Sequence, residues 1–131
     1  MPSATPAPAA APDLTIVYDR RSLGIVNTST GPVDLSGLAL VQGTTSLPAA
    51  HWQQYLSGSL SAFPARDCLQ VWSASESADL PAPSGCRYVR GVTYLAGPVM
   101  FWTQVSFDVQ WNGRALASCT AGAGRCPVDL P

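Results

Sequence analysis

Short apolar runs separated by turn-forming residues recur along the chain, and no long run has the spacing of an amphipathic helix. Leu14–Tyr18 and Leu23–Asn27 lie on either side of a polar tetrapeptide, which predicts a hairpin or two neighbouring strands. Further β-rich runs follow at 68–72, 88–94, 99–102 and 126–130. The pattern therefore predicts an all-β domain.

The strongest hairpin signal lies in the last third of the chain. Apolar and polar residues alternate strictly before Asn112-Gly113, which is a favoured two-residue turn, and a second β-rich run follows it. In this register Val109 lies opposite Leu116, and Trp111 lies opposite Arg114.

The stretch Pro32–Val41 predicts a strand, a sharp bend at Ser36-Gly37 and a second, more apolar strand. Glycine permits the bulge or bend that a corner of a β-sandwich requires. Leu38 and Leu40 share one face of the second strand, and its other face is also apolar. We therefore expect this strand at the centre of a sheet.

The segment 42–61 allows two interpretations. A short helix after Pro48 would place Trp52, Tyr55 and Leu56 on one side. Alternatively, the segment is an irregular loop whose Trp52 closes one end of the sandwich.

The chain of 131 residues has the length of one domain. Residues 1–13 are rich in Pro and Ala and predict an extended linker or tether, which leaves residues 14–131 as the β-sandwich domain. Charged residues make up 11% of the chain, against roughly 25% in an average soluble domain. This composition favours an exported or surface-attached module over a cytosolic enzyme.

The charge pattern narrows the possible partners. The net charge is −1 and no basic stripe is present, so the chain lacks the electrostatic footprint of a nucleic-acid-binding protein. No run of 18 apolar residues occurs, and we therefore expect no membrane insertion in this segment.

Four cysteines, Cys68, Cys86, Cys119 and Cys126, lack the close spacing of a zinc site. An even number in a short, loop-rich chain favours two disulfides and an oxidising compartment. Of the three possible pairings we expect Cys68–Cys86 and Cys119–Cys126, because each closes a local loop that ends at a predicted strand.

Three segments resemble the lamin-tail domain, an immunoglobulin-like β-sandwich also found in secreted bacterial proteins. Asn27–Leu40 is similar to the strand-turn signature of that family, which ends in a Ser-Gly bend. Leu60–Val71 and Val105–Ser118 resemble two later strand segments. The chain has Leu38 where the family has an aromatic residue, and Asp67 where it has a glycine. The resemblance implies an immunoglobulin-like antiparallel sandwich. The cysteine pattern also resembles extracytoplasmic domains of bacterial membrane-anchored serine/threonine kinases.

Catalytic residues are scarce in the sequence. A hydrolase built on paired carboxylates, a nucleophilic serine elbow or a phosphate-binding loop would each require a motif that this chain lacks. An enzyme centred on His51 and Asp67 would require the two side chains to converge. We expect no catalytic residue, no cofactor and no metal.

Aromatic residues are the remaining candidates for function. Trp52, Tyr55, Trp72 and Trp102 could form an exposed row of rings, because flat apolar faces bind sugars or protein grooves at low entropic cost. Trp72 shares a strand face with Gln70 and is the best candidate for exposure.

These observations favour a non-catalytic extracellular binding module that contacts a protein or polysaccharide. The alternative is a structural or self-associating spacer domain of a larger surface protein.

Overall fold

The computed structural model describes residues 12–73, 82–95 and 101–131. Within these residues the strands are β1 (Leu14–Tyr18), β2 (Ser22–Asn27), β3 (Leu38–Gln42), β4 (Thr45–Pro48), β5 (Cys68–Ser73), β6 (Val89–Leu95), β7 (Phe107–Trp111), β8 (Arg114–Cys119) and β9 (Arg125–Val128). Two 3₁₀-helices, Ala49–Tyr55 and Leu60–Ala62, and a short α-helix, α1 (Phe101–Gln104), connect them. Only Pro12 and Asp13 of the predicted tether belong to the described residues.

The strands form two sheets that pack face to face. One has the order β6-β5-β2-β1-β9 and the other has the order β4-β3-β7-β8. The neighbours β1-β2-β5 and β3-β7-β8 correspond to strands A-B-E and C-F-G of an immunoglobulin domain, with β4 in the place of C′. The predicted immunoglobulin-like sandwich is therefore confirmed. One departure is the pair β5–β6, which is parallel, whereas every other pair is antiparallel among the described strands.

Alternating residues of both sheets fill the space between them. Strands rich in Leu, Ile and Val form here because their side chains pack well on a pleated, half-buried surface. The core side chains include Leu14, Ile16, Leu23, Ile25, Leu69 and Val71 from the five-stranded sheet and Leu38, Leu40, Leu47, Phe107 and Val109 from the four-stranded sheet. Each buried side chain of this kind contributes about 1.5–3 kcal/mol.

The predicted hairpin is present as β7 and β8. Asn112 and Gly113 have φ angles of 48° and 84°, as their two-residue turn requires. Trp111 lies opposite Arg114 as expected, but Val109 lies opposite Ala117 and not Leu116. The predicted register is wrong at that point because a bulge shifts the pairing between Val109 and Gln110.

The bend at Ser36-Gly37 is confirmed, and β3 lies in the interior of its sheet between β4 and β7. The predicted strand before the bend is wrong, because Val33 forms only an isolated bridge with Phe63. The reason for the glycine differs from the prediction, because Gly37 does not have a positive φ. A Cβ atom at Gly37 would lie 2.7 Å from Asn112 Oδ1 and 3.0 Å from a ring carbon of Trp111. Glycine is therefore required for close packing against the β7–β8 turn.

Two predictions of local secondary structure need revision. The segment after Pro48 is helical, but as a 3₁₀-helix, and the short strand β4 before it was not predicted. The predicted strand 99–102 is wrong at its end, because Phe101 and Trp102 begin α1, and its first two residues lie outside the described part. The β-rich composition of residues 99–102 could not show that Phe101 and Trp102 are helical.

Both expected disulfides are present. Cys119–Cys126 joins β8 to β9 and therefore links the two sheets. Cys68–Cys86 ties residues 82–87, which we call the strap, to the beginning of β5. Two disulfides are typical of an oxidising, extracytoplasmic compartment. None of the described helices is long and apolar enough to cross a membrane.

Candidate binding site

Two of the four predicted binding rings lie in the core. Trp52 is 1% exposed and Trp102 is 0% exposed. Their indole N–H groups donate to backbone carbonyls, at 2.8 Å from Trp52 to Gln70 and at 2.7 Å from Trp102 to Asp19. Large rings are buried readily where the polar edge finds an acceptor. The expectation that Trp52 and Trp102 join an exposed row of rings is therefore wrong, and the side chain of Tyr55 lies outside the described part.

Trp72 is the predicted ring that does reach the surface. It is half-buried near the end of β5 and pairs in register with Tyr94 of β6, which is 53% exposed. The two rings meet edge to face, with centroids 5.8 Å apart and planes at 88°. Trp72 Nε1 is buried and has no hydrogen-bond acceptor within the described residues. The outer face of the β5–β6 pair thus carries an aromatic surface, which we call the Trp72–Tyr94 pair.

A buried ion cluster, which the sequence did not predict, lies at the opposite end of this strand pair. Asp67 is 0% exposed, and its two carboxylate oxygens accept from Arg87 Nε at 3.2 Å and from Arg90 Nε at 2.6 Å. A buried carboxylate is costly unless such partners satisfy both oxygens. The side chains of Arg87 and Arg90 remain 53% and 28% exposed, so the cluster presents positive charge to solvent.

The tertiary fold brings this cluster together from three elements. Asp67 directly precedes β5, and the Cys68–Cys86 disulfide brings the next residue of the strap, Arg87, beside it. Parallel pairing of β5 and β6 then places Arg90 next to the beginning of β5. The sequence pointed to Asp67 only as a departure from the lamin-tail pattern and as a partner that an enzyme centred on His51 would require. The expected Cys68–Cys86 disulfide could have indicated this contact, because it brings the adjacent residues 67 and 87 close together.

Tyr88 completes this end of the surface. Its ring is 59% exposed, and the guanidinium carbons of Arg87 and Arg90 lie 5.2 and 5.6 Å from the ring centroid. Such cation–π contacts hold arginine side chains over the ring face. The backbone carbonyl of Tyr88 accepts from the Cys68 amide at 3.0 Å, which fixes the residue that follows the strap against β5.

His51 and Asp34 are titratable residues outside the ion cluster. His51 is exposed on the first 3₁₀-helix, whereas the Asp67 carboxylate is buried between two arginines. Asp34 is exposed. The pKa of its carboxyl is lowered mainly by a hydrogen bond from the Ser36 hydroxyl and, to a smaller extent, by one from the Ser36 amide. Within the described ranges, no group of three or more His, Cys, Asp or Glu residues could hold a metal ion.

Comparison of the chain with protein-family models, with curated proteins and with solved structures found no match.

Proposed function

We propose that the protein is a non-catalytic binding module of an extracytoplasmic surface protein, with a lamin-tail-like sandwich that contacts carbohydrate or protein. The Trp72–Tyr94 pair is the observation that carries this proposal. An edge-to-face pair with one ring more than half exposed offers a rigid apolar surface, and rings of this kind often dominate binding energy. The two disulfides support an extracytoplasmic location.

A structural role for Asp67 further supports a non-catalytic module. Both carboxylate oxygens are engaged by arginines, so the group holds the strap and β6 against β5 and is not presented to a substrate. The bend Ser36-Gly37, which carries the resemblance to the lamin-tail family, packs against the β7–β8 turn. Both features serve the architecture on which the exposed rings are placed.

The test is a binding screen of the intact chain on a glycan array and against isolated cell-envelope proteins. Tyr94→Ala should weaken binding about tenfold, because a ring at a binding hot spot typically contributes 1–2 kcal/mol or more. Val105→Ser is the control, since Val105 is 43% exposed and lies in a different part of the chain. An empty screen, or equal losses for both variants, would contradict the proposal.

A second candidate function is self-association through a sheet edge. Strand β6 has seven residues and lies at the edge of the five-stranded sheet. Edge strands offer unpaired backbone groups to another chain. Light scattering over a hundredfold concentration range tests this candidate, which predicts a concentration-dependent increase in mass. A constant monomer mass would exclude self-association and leave the Trp72–Tyr94 proposal unaffected.

A further inference from the structure

A polar cleft of about 360 Å³ lies beside the ion cluster, and its lining residues are Thr28, Ser29, Thr30, Ala65, Arg66 and Arg87. Its volume falls within the range of small-molecule sites. Two arginines and three hydroxyl-bearing residues line this space, and none of the lining residues is acidic. The Thr28 hydroxyl donates to the Pro12 carbonyl at 2.6 Å and the Ser29 hydroxyl donates to Asn27 Oδ1 at 2.7 Å, so these two hydroxyls can accept a hydrogen bond from a ligand but not donate one. We call it the arginine cleft.

One wall of the arginine cleft is held rigid by a buried asparagine. Asn27 is 0% exposed, and its Nδ2 donates to the carbonyls of Gly31 at 3.0 Å and Phe63 at 2.9 Å. Its Oδ1 accepts from the Ser29 amide at 3.0 Å. These bonds fix the turn that follows β2, so the hydroxyl groups of this wall are positioned before any ligand arrives.

The charge at this end of the molecule is not balanced. Arg87 and Arg90 share the single, fully buried carboxylate of Asp67, and Arg66 lines the cleft together with Arg87. In a chain with only seven basic residues and a net charge of −1, three arginines are thus gathered at one place. The excess positive charge is available to a ligand, because the Arg66 side chain makes no hydrogen bond or ion pair with the described residues.

The backbone of Arg66 provides a second, independent observation. Arg66 has a φ of 69°, in the left-handed region that favours glycine. Its amide donates to the Asn27 carbonyl at 2.7 Å, and its carbonyl accepts from the Arg87 amide at 2.6 Å, so the strained conformation is imposed by the surroundings. A strained residue with an exposed, unpaired charge indicates that the side chain has a use.

We propose that the arginine cleft binds an anionic sugar, with the phosphate, sulfate or carboxylate group on Arg66 and Arg87 and the sugar hydroxyls against Thr28–Thr30. Guanidinium groups match the geometry of these oxyanions and form charge-assisted hydrogen bonds with them. The Thr30 hydroxyl is exposed and makes no hydrogen bond within the described part of the chain, so it can bind a sugar hydroxyl. Arg66 and Arg87 of the cleft precede β5 and β6, whereas Trp72 and Tyr94 lie near the ends of these strands, so the ligand of the cleft is independent of the Trp72–Tyr94 pair.

The test is an NMR titration of the intact chain with glucose, glucose 6-phosphate, glucose 6-sulfate, glucuronate and inorganic phosphate. We expect saturable shifts of the amides of residues 28–30, 66 and 87 with at least one anionic sugar, and none with glucose. Affinity should fall as salt rises, because the contact is largely electrostatic.

Arg66→Gly is the decisive variant, since it removes the guanidinium and relieves the left-handed backbone. We expect a melting temperature that is unchanged or higher, with affinity for the anionic sugar reduced about tenfold. Arg114→Ala removes the same charge from an exposed site on β8 and should change affinity less than about twofold.

Three results would overturn the proposal: no saturable shift with any anionic sugar, equal binding by Arg66→Gly and the unaltered chain, or equal losses for Arg66→Gly and Arg114→Ala. If inorganic phosphate bound as tightly as glucose 6-phosphate, the sugar would add nothing to the affinity, which would contradict the proposed contacts between the sugar hydroxyls and Thr28–Thr30. Loss of Trp72–Tyr94 binding leaves this cleft intact, so the two proposals fail separately.

Discussion

The four-stranded sheet joins two hairpins through an antiparallel pair, whereas the five-stranded sheet ends in a parallel pair. Hairpins β3–β4 and β7–β8 join through β3 and β7, and every pair is antiparallel. The five-stranded sheet begins with the hairpin β1–β2, adds β9 on one side, and ends on the other with the parallel pair β5–β6. Parallel strands require a crossover, so local sequence cannot specify that edge.

The difference shows where binding groups arise in this fold. The parallel edge carries the Asp67 ion cluster, the strap, the Trp72–Tyr94 pair and one wall of the arginine cleft. Because β5 and β6 run in the same direction, their beginnings lie side by side and residues from three segments meet there. Parallel pairing thus brings the polar groups of these segments together at one edge of the five-stranded sheet.

The largest effect is expected at the ion cluster. Asp67→Asn should lower the free energy of unfolding by about 3–4 kcal/mol, because it loses two charge-assisted hydrogen bonds and replaces one carboxylate acceptor by an amide donor that faces an arginine. Asp108→Asn, at a half-buried position on β7 in the other sheet, should change it by less than about 0.5 kcal/mol. Urea unfolding measures both. Similar values for the two variants would show that the parallel edge does not depend on its ion cluster.

The two disulfides should differ in how much they contribute to the free energy of unfolding and in which strand they hold closed. Replacing Cys68 and Cys86 by Ala should lower the free energy of unfolding by about 3 kcal/mol, and replacing Cys119 and Cys126 should lower it by about 2 kcal/mol. The first effect is larger because the paired cysteines are 18 residues apart in the first disulfide and 7 in the second, and a longer closed loop constrains the unfolded chain more. Hydrogen exchange should show β6 opening first in the former variant. Faster exchange confined to β8 in that variant would contradict the role given to the strap.

Gly37→Val tests the packing between β3 and the hairpin turn of the four-stranded sheet. The new side chain would collide with Asn112 and Trp111, so we expect a loss of about 2 kcal/mol in the free energy of unfolding. Gly37→Ala should cost less, because the Asn112 side chain can move. Gly31→Ala is the matched control, since a Cβ atom there meets nothing within 4 Å. Thermal unfolding that ranks Gly31→Ala equal to Gly37→Val would refute this account.

The smallest effect concerns the contact between the sheets at Tyr18. Its ring meets Phe107 edge to face with centroids 5.3 Å apart, and burial raises its pKa above the usual 10.0. A raised folded-state pKa contributes stability that is present below pH 10 and is lost as the pH rises through the folded pKa. Tyr18→Phe should cost about 1 kcal/mol at neutral pH through the lost hydrogen bond to Thr120, and should remove this alkaline loss. The free energy of unfolding, measured by denaturation between pH 8 and 11, checks both effects. Tyr94→Phe is the exposed control, and this variant should still lose stability at alkaline pH.

Local pattern determined most of the fold and little of the candidate site. The alternation before Asn112-Gly113 predicted the hairpin because a two-residue turn leaves few registers open, although it could not show the bulge after Val109. Of the four predicted binding rings, Trp72 reaches the surface, while Trp52 and Trp102 are buried. A tryptophan has the same sequence signal in either place, since exposure depends on which elements pack over it.

The sequence by itself determined the all-β class, both disulfides and the bend at Ser36-Gly37, because each depends on residues that are close in the chain or on cysteine spacing. Only the tertiary structure decided the parallel pairing of β5 with β6 and, through it, the meeting of Asp67, Arg87 and Arg90. The physical reason is that a buried carboxylate needs partners from any part of the chain, and a one-dimensional pattern does not record which parts become neighbours.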